Sequence, residues 1–96
     1  MAYALITGAS SGIGRELASL FAANGYDIVI TARNQERLNT VQTALKQQYQ
    51  VRVVVFAADL SEPDAPQRLH DFTTSHGISI EYLVNNAGFA DWTGYL

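Results

Sequence analysis

The chain has 96 residues, 48% of them apolar and 16% charged, a balance that excludes a disordered polymer and gives enough apolar material for one small core. Its net charge of −3 argues against a general nucleic-acid binder, which would carry a basic face. Cysteine is absent, which excludes a disulfide framework and a thiolate metal site.

The opening Met-Ala-Tyr-Ala-Leu-Ile carries no basic leader and runs straight into an apolar segment. No apolar run approaches the ~20 residues of a membrane span. The expectation is one soluble cytoplasmic domain over residues 1–96, with neither nucleic acid nor membrane as a partner.

Residues 2–7 form a short apolar run ending at glycine, which predicts a buried strand. Ile13, Leu17, Leu20 and Phe21 then recur at helical spacing, and Asn24-Gly25 closes that helix. Residues 26–32 carry Ile28-Val29-Ile30 and predict a second strand. Asn34 is placed to cap a helix whose apolar face is Leu38, Val41, Leu45 and Tyr49. The valine-rich residues 51–57 predict a third strand, and Asp59-Leu60-Ser61 a loop. Pro63 and Pro66 suit a first helical turn and not a helix interior. Leu69 and Phe72 mark that helix's face, and Gly77 ends it. Residues 81–85 predict a fourth strand, with Tyr82 buried in it, followed by Asn86-Ala87-Gly88.

This alternation predicts an α/β fold with helices on both faces of a parallel sheet, in which the strand order 3-2-1-4 is the simplest. In that order the chain reverses direction between strands 1 and 4. Ligands of such folds sit in the crevice beyond the carboxyl ends of the strands at that reversal. Two motifs flank it. Residues 7–14 read Thr-Gly-Ala-Ser-Ser-Gly-Ile-Gly, a turn that joins a strand to a helix N-terminus and can offer backbone N–H groups to a phosphate. Gly8 permits the sharp turn, Gly12 keeps a Cβ away from an approaching pyrophosphate, and Gly14 lets the helix pack close to the sheet. Ser10 and Ser11 can donate hydroxyls. Taken alone, a glycine-rich turn is also common punctuation. Asn85-Asn86-Ala87-Gly88 adds two amides at a buried strand end, one suited to tying strand ends together and the other to facing a ribose.

Together, Thr7–Gly14, Asp59-Leu60 and Asn85–Gly88 resemble the short-chain dehydrogenase/reductase family, in order and over nearly the whole chain. The resemblance implies a Rossmann-like sheet, which in the family continues with further parallel strands and is here truncated after the fourth, and a nicotinamide dinucleotide as partner. Gly8, Ser10, Ser11, Gly12, Ile13 and Gly14 would then hold the pyrophosphate. Asp59 would accept a hydrogen bond from the adenine amino group, the backbone of Leu60 would contact the ring, and Asn86, Ala87 and Gly88 would line the adenosine ribose and crevice floor. Arg33 follows the second strand, where a carboxylate would favour NAD. A guanidinium there can pair with a 2′-phosphate, which favours NADP over NAD, the alternative being a solvated surface charge.

His70, His76, Asp64 and Asp71 read as solvated helix residues, Arg15 as an exposed helix charge, and Phe89, Trp92 and Tyr95 as an apolar tail. The catalytic serine, the tyrosine and the lysine four residues after it that the family uses are not among these 96 residues. Lys46 is the sole lysine, and no Tyr-x-x-x-Lys occurs. The expectation is the cofactor-binding portion of an NAD(P)-dependent oxidoreductase acting on a carbonyl or alcohol, inactive as this chain alone. The alternative is a non-catalytic dinucleotide-binding or oligomerisation module. An uncovered fourth strand would favour self-association.

Overall fold

A computed structural model describes residues 3–10, 12–59 and 61–86. The elements are β1 (Tyr3–Thr7), α1 (Gly12–Ala23), β2 (Asp27–Ala32), α2 (Gln35–Gln48), β3 (Val53–Ala57), α3 (Ala65–Ser75) and β4 (Ile80–Asn85). The strands form one sheet in the order β3-β2-β1-β4, and every neighbouring pair is parallel. The predicted alternation and strand order are therefore those observed. The strand ends move by one or two residues from the predicted ones, and Pro63 falls in the turn ahead of α3 while Pro66 occupies its first turn.

The sheet has two packed faces. Ala4, Ile6, Ile28, Ile30 and Val53 meet Ala18 and Ala22 of α1 and Leu38, Val41 and Leu45 of α2. Tyr3, Leu5 and Val29 meet Leu69 of α3 on the other side, with Phe56 and Phe72 beside them. β1 and β2 are buried along their whole length, whereas β4 is mostly half-buried or exposed. A parallel strand with neighbours on both edges and helices on both faces has no solvated side, so its sequence is apolar without alternation.

Asn34 caps α2 as expected, its side-chain oxygen accepting from Arg37 N at 3.0 Å. Asp27, buried at the start of β2, accepts from Arg52 N at 2.9 Å and so joins the starts of β2 and β3.

Three expectations are corrected. In α1 the buried residues are Gly14, Ala18 and Ala22, while Ile13 and Leu20 are 68% and 60% exposed. Small residues let α1 lie close to the sheet, and the larger apolar residues are thereby rotated outward. Tyr82 is 45% exposed, because β4 is an edge strand. His70 is half-buried, unlike the exposed His76. Arg15, Lys46, Asp64 and Asp71 are exposed. Phe89, Trp92 and Tyr95 lie outside the described residues.

Candidate functional site

The carboxyl ends of the four strands lie along one rim of the sheet, since all are parallel and in register from Thr7 through Thr31 to Phe56 and from Thr7 to Asn85. The chain leaves β1 at Gly8, whose φ of 64° is the left-handed conformation that glycine adopts without a Cβ penalty. Ala9 N then donates to Thr31 O at 3.3 Å, so the turn is fixed against the end of β2.

Gly14 is where α1 comes closest to that turn. A Cβ on Gly14 would collide with the Gly8 carbonyl, with the carbonyl carbon 2.8 Å away and Ala9 Cα at 3.0 Å. Gly12 differs: a Cβ there would meet nothing within 4 Å among the described residues. The two glycines therefore answer different requirements. Gly14 is demanded by packing, whereas packing among the described residues makes no demand on Gly12.

The first turn of α1 holds Gly12, Ile13 and Gly14 and contains no acidic residue. Its backbone N–H groups have no i−4 carbonyl in the helix, and the helix dipole adds partial positive charge there. Gly12 is thus open to approach at a helix end whose potential favours an anion. Ser10 is half-buried in the turn before it and Ile13 is exposed beside it. Ser11 lies outside the described residues.

On the β4 side, two side chains bind the strand ends together. The Thr7 hydroxyl, fully buried, lies 3.0 Å from Asn85 Oδ1 and 3.3 Å from Val84 O. Asn86 Nδ2 donates to Gly8 O at 3.4 Å. The two amides thus both tie β4 to the β1 turn. Ala87 and Gly88 are outside the described residues.

On the β3 side, Ala58 N donates to Ala32 O at 2.9 Å, so Arg33 and Asp59 leave adjacent strand ends as neighbours. Asp59 Oδ1 accepts from both the hydroxyl of Ser61, at 2.6 Å, and its backbone N–H, at 3.0 Å. These two hydrogen bonds hold the Asp59 carboxyl below its ordinary range; partial burial opposes them, and the Arg33 charge adds a smaller downward pull. Arg33 is exposed, and the ion pairs found among the described residues both belong to Arg68, with Glu62 and Asp64. Leu60 lies outside the described residues.

The structure therefore brings Gly8, Ser10, Gly12, Ile13 and Gly14 to the centre of one rim, Asn86 to one side and Arg33 with Asp59 to the other. Sequence reasoning placed Thr7 in the glycine motif and Ser61 in the loop after the third strand but gave neither a role at this rim. A threonine at a strand end before the glycine turn, and Asp-x-Ser after the third strand, were the signals available.

Among the described residues no helix is long and apolar enough to cross a membrane. Comparison with known proteins gives a consistent picture. The chain is 44% identical over 84 residues to 11-beta-hydroxysteroid dehydrogenase 1A of Arabidopsis thaliana, covering 88% of this chain and 24% of that protein. It is 40% identical over 85 residues to a fatty acyl-CoA reductase of Acinetobacter baylyi, covering 88% of this chain and 28% of the other. It thus spans about a quarter of the length of these relatives. Among solved structures, L-sorbose reductase of Gluconobacter frateurii, complexed with NADPH and L-sorbose, superposes with a TM-score of 0.84 at 40% identity, over 90% of this chain and 33% of that one. A short-chain dehydrogenase of Sphingobium yanoikuyae in complex with NADPH gives 0.69 at 38% identity, over 75% and 28%. The model of the family described as short chain dehydrogenase matches residues 2–95. With the glycine turn, the strand order and this match in agreement, the chain belongs to the short-chain dehydrogenase family of NAD(P)-dependent oxidoreductases.

Proposed function

We infer that residues 1–96 are the unit of a short-chain oxidoreductase that binds the adenosine and pyrophosphate portion of NADP. The observation that carries this reading is the open space at Gly12, set against an α1 first turn free of acidic residues. A pyrophosphate in that space would accept from the N–H groups of the α1 first turn, with the Ser10 and Ser11 hydroxyls at its rim. Ile13 would cover one side of the dinucleotide with apolar surface. Asp59 and the Leu60 backbone would meet the adenine. Asn86, Ala87 and Gly88 would line the ribose and the floor.

Arg33 sets the choice of cofactor in this reading. It is exposed, makes no ion pair with the described residues, and follows Ala32 rather than a carboxylate. A guanidinium in that place pairs with a 2′-phosphate in a charge-assisted contact of about 1–3 kcal/mol. The NADPH complexes of the sorbose reductase and the Sphingobium enzyme support the same preference.

When bound, the nicotinamide would supply a hydride to a carbonyl or accept one from an alcohol. The residues in hand bind and orient the other end of the cofactor. They contain no Tyr-x-x-x-Lys to move the accompanying proton, so these 96 residues by themselves are expected to bind without turnover. The exposed Leu20 of α1 and Tyr82 of β4, which line one pocket, support self-association as well.

Calorimetric titration with NADP(H) and NAD(H) at fixed salt tests the reading. The expected result is a preference for NADP(H) of about one to two powers of ten. Arg33→Ala should abolish the preference, and Gly12→Val should weaken both cofactors. Equal affinities, unchanged by Arg33→Ala, would make Arg33 a solvated surface charge.

A further inference from the structure

Arg33 and Asp59 leave neighbouring strand ends with opposite charges, yet they do not form an ion pair. The Asp59 carboxylate is engaged elsewhere. Its Oδ1 takes two hydrogen bonds from Ser61, and the 2.6 Å one has the length of a charge-assisted bond. A carboxylate turned back into its own loop in this way can bring Oδ1 to the guanidinium only by giving up both bonds, and with Oδ1 held there it makes no ion pair with Arg33.

We propose that Ser61 is a positioning residue for cofactor choice: by holding Asp59 within its own turn it keeps that carboxylate off Arg33 and leaves the guanidinium free for a 2′-phosphate. This rests on the role given to Arg33 above. Without Ser61, Asp59 on the adjacent strand end is a carboxylate released to pair with Arg33, and a pair formed there neutralises the charge that a 2′-phosphate would meet. A second consequence is geometric. The same two bonds leave Asp59 Oδ2 as the oxygen available to a ligand donor, so one serine both frees the arginine and fixes the aspartate.

The test uses the full chain and two probes that share one adenine, 2′,5′-ADP and 5′-AMP. Their affinity ratio reads the 2′-phosphate contact alone, because loss of adenine binding affects both alike. Dissociation constants come from NMR shift titrations at fixed salt, with circular dichroism confirming the fold of each variant. Ser61→Ala is expected to lower the ratio roughly two- to five-fold, the range set by an exposed ion pair competing for Arg33. Ser61→Thr, which keeps the hydroxyl, should retain the ratio. Asp59→Asn combined with Ser61→Ala should restore it, since no carboxylate remains to compete. Asp59→Asn alone should keep or raise it, which tests the idea without altering Ser61.

A merely structural role for Ser61 would weaken both probes by one factor, and that result overturns the proposal. So would a ratio that stays low in the double variant, or one that falls in Asp59→Asn alone. Arg33→Ala provides the separate control. If it leaves the wild-type ratio unchanged, the role of Arg33 itself fails, and the proposal with it. If it lowers the ratio while Ser61→Ala does not, only the role of Ser61 fails.

Discussion

Thr7 and Asn85 stand 78 positions apart in the chain, and the Thr7 hydroxyl meets the Asn85 side-chain oxygen at 3.0 Å where β1 and β4 end. The same hydroxyl lies 3.3 Å from Val84 O. Thr7→Val keeps the shape and removes the donor, and should destabilise the fold by about 1 kcal/mol. Thr7→Ser should recover most of that loss. Urea denaturation of the three proteins measures it, and a Thr7→Val variant as stable as the parent would show that the bond contributes nothing.

Gly12 and Gly14, two residues apart, should respond oppositely to alanine. At Gly14 the new methyl meets backbone on the Gly8 side, which cannot move aside as a flexible side chain would. A loss of about 1–3 kcal/mol is expected. At Gly12 the methyl enters open space, so stability should be held or slightly raised while dinucleotide affinity falls. Thermal melts and ligand titrations of both variants check this. A strongly destabilised Gly12→Ala would contradict it.

Tyr26, Tyr82 and Phe21 form an aromatic cluster, with the Tyr26 and Tyr82 rings 5.2 Å apart at 83°. Tyr26 donates to the Tyr82 hydroxyl at 3.5 Å, and that bond first, with the neighbouring Tyr82 and Glu81 charges and partial burial, raises the Tyr26 phenol above its ordinary 10.0. The folded state thus favours neutral Tyr26. Its contribution is present below pH about 10 and is lost as pH rises through the raised folded value. Tyr82→Phe should return the phenol toward 10.0 in an ultraviolet absorbance titration. An unmoved curve would remove Tyr82 as the cause.

Asp59 behaves in the opposite sense. Its two bonds from Ser61 lower the carboxyl below the ordinary 3.8. The stability these bonds give is present above that value and is lost as pH falls through the lower, folded one. Carbon-detected NMR titration of the carboxyl should show Ser61→Ala moving it upward. A carboxyl unaffected by that change would mean the hydrogen bonds do not form in solution.

Leu20, Phe21, Asn24, Tyr26 and Tyr82 line a shallow pocket of about 320 Å³ beside the β4 edge. Apolar surface in that position is expected to draw chains together. Sedimentation velocity across a concentration series should show association in the parent and its loss in a Leu20→Glu, Tyr82→Lys variant. A parent that stays monomeric at high concentration would refute it.

The order of elements was legible because buried parallel strands and amphipathic helices have different periods, and every change of period but the one between α2 and β3 fell at a glycine, asparagine or proline. The glycine turn was legible because its neighbours on both sides were unambiguous. The α1 face was not, since hydropathy gives weight to Ile13 and Leu20, whereas close approach to a sheet selects Gly14, Ala18 and Ala22. Nor was the exposure of Tyr82, which depends on β4 being an edge and on a register shift between Tyr3 and Ala4 that a one-dimensional pattern does not carry. The relation of Arg33 to Asp59 needed the β2–β3 register, and the engagement of Asp59 by Ser61 needed side-chain geometry.

The sheet order also dictates the timetable on which the chain can close during synthesis. Of the four described strands β1 emerges first, and its two neighbours come from residues 27–32 and 80–85. One side of β1 can pair early. The other stays bare until nearly all of the described chain has been made, its backbone donors and acceptors open to any strand that passes. Translation therefore carries this protein through a long interval in which its central strand is half-finished, and the Thr7–Asn85 bond marks the end of that interval. Codon-dependent pauses between residues 33 and 80 would lengthen the exposure, and nascent-chain chaperones that shield bare strand edges would act at that stage.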